Sequence, residues 1–163
     1  MDKGKSFIRK ISNFKVLIGY ILESLNVIKQ GYTIRDKIIL ILYFLKTPIF
    51  LVKSLLTGKL LREIEAEDKF LVGDVILKNK YGKYYCGNNI LTVYIADENY
   101  EKHLFPYLEL KDGLFIDVGA HIGKYTIKLG KTGSNKVIAI EPEKNNYNFL
   151  EKNVQLNSLD NVT

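Results

Sequence analysis

The segment Leu114-Phe115-Ile116-Asp117-Val118-Gly119-Ala120-His121-Ile122-Gly123 constrains this chain more than any other. A short apolar run ends on an acid and passes at once into a glycine turn, which is how a buried strand hands over to a helix in a parallel sheet. The apolar pattern predicts a strand over Leu114–Val118, a helix over His121–Lys131, a strand over Lys136–Ile140 and a helix over Lys144–Asn157. Strand–helix–strand–helix at this spacing is the signature of a parallel α/β fold. Asn161-Val162-Thr163 reads as the approach to a third strand, and there the sequence stops.

The turn is built for a ligand. Gly119 and Gly123 let the backbone pass close beneath a bound group, where a Cβ would collide. The following helix points its free amino-terminal N–H groups at the same place, the carboxyl edge of the sheet where ligands of doubly wound folds sit. Glu141 follows Asp117 by 24 residues, at the end of the next strand, and an acid there can accept hydrogen bonds from both hydroxyls of a ribose. A phosphate loop needs four residues between its glycines and then Lys with Ser or Thr. Here three separate Gly119 from Gly123, and Tyr125 follows Lys124. A dinucleotide site needs a middle glycine where this chain has His121, and Asp117 would repel a pyrophosphate. S-adenosylmethionine has no phosphate and carries a sulfonium and an ammonium, so it suits an acid before the turn.

The run Phe115-Ile116-Asp117-Val118-Gly119-Ala120-His121-Ile122-Gly123-Lys124-Tyr125-Thr126 resembles the first motif of the FkbM-type S-adenosylmethionine-dependent methyltransferases. Ile140-Glu141-Pro142-Glu143-Lys144-Asn145-Asn146-Tyr147, with Leu150, Asn153 and Asn157 beyond it, resembles that family's second motif and its helix. The resemblance implies a Rossmann-like core that binds S-adenosylmethionine through Asp117, Gly119, His121, Gly123 and Glu141, the first acid and the glycines at the methionine end and Glu141 at the ribose. It implies methyl transfer, most often to oxygen, with a glycan, a lipid-linked sugar or a natural product as acceptor. His121 occupies a position filled by His or Asn in resembling proteins, which favours a backbone duty over catalysis, and no residue stands out as a base. Later strands of such a core lie beyond what is present, so the expectation is a methyltransferase core cut off after about two strand–helix units. A non-catalytic fragment, or a membrane-associated module that keeps half a cofactor site, is the alternative.

Upstream, residues 111–163 are preceded by a small β-rich element over 63–110 and a helical appendage over 1–62. A helix is expected over residues 7–29, closed by Gln30-Gly31, and a second one opening near Thr33 with Asp36 at its positive end. The apolar runs Ile38–Leu45 and Ile49–Val52 are interrupted by Lys46-Thr47-Pro48. From Ile38 to Thr57 the length approaches the roughly 20 residues of a membrane span. Lys46, however, would sit near its centre at a cost of about 2.5–3.5 kcal/mol. An interfacial or protein-packed helical hairpin is therefore expected over a span. The charged stretch Arg62–Lys69 marks the boundary to strands expected over Phe70–Leu77, Lys83–Tyr85 and Ile90–Ile95, followed by a short helix over Asn99–Leu110 perturbed at Pro106.

Charge separates the same parts. The formal net charge is +6, yet residues 1–62 hold 12 Lys and Arg against Asp2, Glu23 and Asp36, while the remainder holds 12 against 15 acids. Basic residues interleaved with apolar runs suit an anionic membrane surface, through residues 7–57, better than nucleic acid, which is not expected. An ordinary packed helical layer is the competing reading. Cys86 is the single cysteine and there are two histidines, so neither a disulfide framework nor a cysteine-rich metal site is expected. A cytoplasmic protein, peripheral at a membrane, fits this usage. No small-residue cleavage site follows the first apolar run, so no cleaved signal peptide is expected.

Overall fold

The computed structural model describes residues 3–109, 112–132 and 135–163, with residues 3–16 and 135 described by backbone alone. The chain is of the mixed α/β class. Helices α1 (Lys3–Gln30), α2 (Ile34–Phe44), α3 (Thr47–Thr57) and α4 (Leu61–Glu67) come first. An antiparallel hairpin of β1 (Phe70–Asn79) and β2 (Gly82–Asn89) follows, then α5 (Ile90–Ala96) and a 3-10 helix over Lys102–Leu108. The parallel unit closes the chain as β3 (Gly113–Val118), α6 (Lys124–Gly130), β4 (Asn135–Ile140) and α7 (Lys144–Leu156).

Within that unit β3 and β4 run in parallel from Gly113 opposite Asn135 to Val118 opposite Ile140. The chain end extends the sheet on the far side of β4. Val137 N–H donates to Asn161 O at 2.9 Å, Ala139 N–H to Thr163 O at 2.8 Å, and Val162 bridges Val137 in parallel. Residues 161–163 thus begin the third parallel line, as their sequence suggests. The two faces of the pair differ: Asp117 and Val137 are buried, whereas Leu114, Ile116, Val118, Ile138 and Ile140 are exposed.

The hairpin depends on its neighbours, because two antiparallel strands alone are marginal in water. On the β1 side, Ile76 N–H donates to Asp36 Oδ1 at 3.2 Å and Ile76 O accepts from Tyr32 N–H at 2.9 Å. The same Asp36 completes the capping box with Thr33 that starts α2. On the β2 side, α7 supplies Asn153 and Asn157. Asn153 Oδ1 accepts from Tyr85 N–H at 2.6 Å, while Asn157 accepts from Lys83 N–H at 2.9 Å and donates to Lys83 O at 2.6 Å. Four residues of helix advance about 6 Å and two residues of strand about 6.6 Å, so side-chain amides at i and i+4 can stand in for an adjoining strand.

One core joins these layers, running from Tyr20 and Val27 through Leu40, Phe44, Leu77, Tyr84 and Cys86 to Ile122 and Ile127. Cys86 is fully buried in β2, and burial pushes its thiol well above the usual range. The stretch read as a strand over Ile90–Ile95 is instead helix α5. Its alternation of apolar side chains coexists with a spacing of three that buries Ile90, Val93 and Ala96 together, and Asn89 caps the turn by accepting from Leu91 N–H at 3.0 Å. The helix expected over Asn99–Leu110 is the 3-10 helix, with Pro106 inside it. The charged stretch Arg62–Lys69 lies mostly in α4, where Glu65 is fully buried and accepts from Tyr20 Oη at 2.6 Å and Tyr94 Oη at 2.8 Å. Lys46-Thr47-Pro48 does break the apolar stretch into α2 and α3, with Pro48 in the first turn of α3, where its missing N–H is not needed.

Candidate functional site

Strands β3 and β4 end side by side, and the turn after β3 is fastened to the end of β4. Gly119 and Ala120 N–H both donate to Ile140 O, at 2.8 and 3.1 Å. The turn uses left-handed backbone at Gly119 (φ 78°), His121 (φ 53°) and Gly123 (φ 85°). Histidine tolerates this region better than most residues with a side chain.

The two glycines serve different ends. A Cβ on Gly119 would meet no atom within 4 Å, so the space over this residue is open. A Cβ on Gly123 would lie 2.7 Å from Leu150 Cδ1, so here the absent side chain lets α7 close against the turn.

Asp117 faces inward. It is buried, and its Oδ2 accepts from Thr126 N–H at 3.1 Å and Thr126 Oγ1 at 2.6 Å, which locks the end of β3 to the first turn of α6. Glu141, at the end of β4, accepts from His121 N–H at 2.7 Å through Oε2 and from Glu143 N–H at 3.0 Å through Oε1. Partial burial pushes the Glu141 carboxyl up, but the backbone donors of Glu143 and His121 outweigh it and hold the group below the usual carboxylate range. Glu141 is therefore an anion whose remaining lone pairs stay available to a further donor. His121 contributes its backbone to this arrangement, while its Nδ1 is buried without a hydrogen-bond partner.

Residues to which the sequence assigns no role complete the neighbourhood. Lys124, the first residue of α6, is buried, and its ammonium donates to Asp97 O at 2.7 Å and also to Tyr100 O. The rings of Tyr100 and Phe105 lie 4.8 and 5.5 Å from Nζ. Burial pulls this amine down to about 8, against the opposing charges of Asp97 and Glu101. Tyr125 hydrogen bonds Glu101, which is itself left-handed at φ 51°. Lys124 and Tyr125 together clamp the segment 97–105 beside the turn. No local sequence signal marks this clamp, because its acceptors, two backbone carbonyls and the Glu101 carboxylate, lie more than 20 residues away. Asn153 adds a third tie, donating to Ile122 O at 2.9 Å. Among the described residues no group of His, Cys, Asp and Glu is placed to hold a metal ion.

No family model matches this sequence, and no curated protein does. Among solved structures, TYW2 of M. jannaschii in complex with AdoMet is 27% identical with a TM-score of 0.46, over 56% of this chain and 42% of that one. TYW2 of P. horikoshii in complex with MeSAdo is 23% identical with a TM-score of 0.47, over 59% of this chain and 38% of that one. A further Pyrococcus horikoshii protein, described as a candidate transferase, is 22% identical with a TM-score of 0.47, over 63% of this chain and 45% of that one. The chain spans less than half the length of each of these structures.

Proposed function

We propose that residues 111–163 form the S-adenosylmethionine-binding half of a methyltransferase site of the FkbM type. The acceptor in this reading is a hydroxyl oxygen of a glycan, a lipid-linked sugar or another small molecule. The observation that carries the reading is the turn itself: open space over Gly119, in a turn that is fastened through His121 N–H to the ionised acid Glu141 and follows the locked acid Asp117. An ionised carboxylate at Glu141 beside an open glycine favours a ligand that brings donors or positive charge over a phosphate-bearing one.

In this reading Glu141 accepts from the ribose hydroxyls, the Gly119 backbone lies against the ligand, and Asp117 acts by holding β3 and α6 in place through Thr126. S-adenosylmethionine, when bound, supplies an activated methyl group. The contribution of this chain is to hold and orient its donor, which is where much of the advantage of such a transfer lies. Deprotonating the acceptor hydroxyl requires a base, and none is assigned to these residues.

Thermal unfolding of the full chain with S-adenosylhomocysteine, and separately with NAD, tests the reading. Ligand at 100 times its dissociation constant stabilises the folded state by about 2.7 kcal/mol. A rise in Tm with S-adenosylhomocysteine and none with NAD is expected. Protection by NAD alone would replace this proposal with a nicotinamide site.

A further inference from the structure

Helix α2 is apolar on both faces. Its inner face buries Ile39, Leu40, Tyr43 and Phe44 against the core. Its outer face carries Ile34, Ile38, Ile41 and Leu42, with Leu45 just beyond, all exposed and spaced as one helical stripe. The outer side of a surface helix in water is ordinarily polar. Helix α3 continues the pattern: it buries only Phe50, while Leu55 and Leu56 are 78% and 82% exposed. On α1, Ile18, Ile21, Leu22 and Leu25 form a third exposed stripe. Apolar exposure on this scale marks a surface that is covered in use.

Charge identifies the covering. The exposed charges of α2 and α3 are Arg35, Lys37 and Lys53, with no carboxylate, since α3 has none and the single acid of α2, Asp36, is buried; the exposed acid of the α1 stripe, Glu23, is paired with Arg62. Lysine stems can lie along an apolar surface while the ammonium reaches out to an anionic layer. Two copies meeting through these stripes would bring like charges together, which disfavours self-association.

We infer that the outer stripes of α1–α3 dock onto an anionic lipid bilayer, lying in its interfacial layer without crossing it. Ile34–Thr57 is long and apolar enough to span, with a mean hydropathy of 1.9 over its best window. The fold holds it back. Asp36 is committed to Ile76 N–H, the inner face of α2 is part of the core, and Lys46, near the middle of the stretch, pairs with Asp68 at 3.1 Å. An amphipathic helix buried to the depth of one face satisfies the stripes and leaves these contacts intact.

Flotation of the full chain with phosphatidylcholine vesicles, with and without phosphatidylglycerol, tests this. Binding is expected with phosphatidylglycerol at low salt and release at high salt. Leu55→Glu with Leu56→Glu is expected to lower the bound fraction at least about tenfold, because interfacial binding scales with buried apolar area. Lys37→Gln and Lys53→Gln are each expected to weaken it about fivefold, since one basic residue near such a surface contributes about 1 kcal/mol. Circular dichroism checks that these variants fold, and Ile34→Glu, at the positive end of α2, provides a second apolar-to-acid test. Absence of flotation at low salt, or binding indifferent to these substitutions and to lipid charge, overturns the inference. So does retention through high salt, which indicates a span, or a lipid-free dimer that Leu55→Glu and Leu56→Glu dissolve in a chain that does not float.

Discussion

The hairpin β1–β2 and the parallel pair β3–β4 are both two-stranded, but they treat their open edges differently. The β2 edge of the hairpin is covered by side chains alone, Asn153 and Asn157 reaching Tyr85 and Lys83, and the β1 edge by the Asp36 carboxylate at Ile76 together with the backbone of Gly31 and Tyr32. In the parallel pair, β4 is covered by the backbone of residues 161–163, whereas β3 pairs only with β4 among the described residues and shows Leu114, Ile116 and Val118 to solvent. A carboxylate or amide at the right helical spacing therefore does the work of a missing strand, and it costs desolvation that only a complete set of hydrogen bonds repays. The hairpin is exacting in single side chains, and the outer side of β3 is permissive.

Breaking the exacting side has the largest expected effect. Asn153→Ala strips partners from the buried carbonyl of Ile122 and the half-buried N–H of Tyr85, and loss of about 2–3 kcal/mol is expected from urea denaturation, given roughly 1–3 kcal/mol per buried group left unsatisfied. A loss below 0.5 kcal/mol would show that water replaces the amide. Next come the two glycines of the turn. Gly123→Ala meets both left-handed backbone and Leu150, and about 2–3 kcal/mol is expected; Gly119→Ala meets the backbone term alone, about 1 kcal/mol. The order of the two losses is the test, and its reversal would show that the space over Gly119 is filled.

Lys124 sharpens the comparison through pH. Its folded-state value of about 8 lies below the ordinary lysine value of about 10.4. Between these the unfolded chain binds the extra proton, so stability rises with pH across this window, the burial penalty being fully present below about 8. Lys124→Met keeps the stem and removes the titration, so its stability profile is expected to lose up to one proton's worth of slope between pH 8 and 10.4. An identical slope in both proteins would place the ammonium in water. The smallest effect is expected on the permissive side: Leu114→Lys, on the exposed face of β3, changes stability within about 0.5 kcal/mol.

The parallel unit was legible because its signals are local. Apolar strands, an acid, glycines and the helical period each lie within about ten residues, and the α/β class follows from their order. The hairpin and the helix break were legible too, from the separate strands expected over Phe70–Leu77 and Lys83–Tyr85 and from Lys46-Thr47-Pro48. Ile90–Ile95 misled because β-branched residues satisfy strand alternation and helical spacing equally, and only the cap at Asn89 and burial against β2 decide between them. Within the candidate site, Asp117, Gly119 and Glu141 were visible as residue types, but their divided duties were not. The reach of Thr126 to Asp117 and the closeness of Leu150 to Gly123 exist only once α6 and α7 are packed. The contacts of Lys124, Glu65 and Asn153 were hidden for the same reason: each is satisfied by partners tens of residues away.

In the proposed function the turn between β3 and α6 holds S-adenosylmethionine. Calorimetric titration of the full chain with this compound, alongside the Gly119→Val variant, tests it most directly. Saturable one-to-one binding is expected, which the valine, projecting into the open space over the turn, reduces at least tenfold, as a side chain in a ligand's place should. No heat of binding up to millimolar ligand, or equal affinity in the variant, would contradict it.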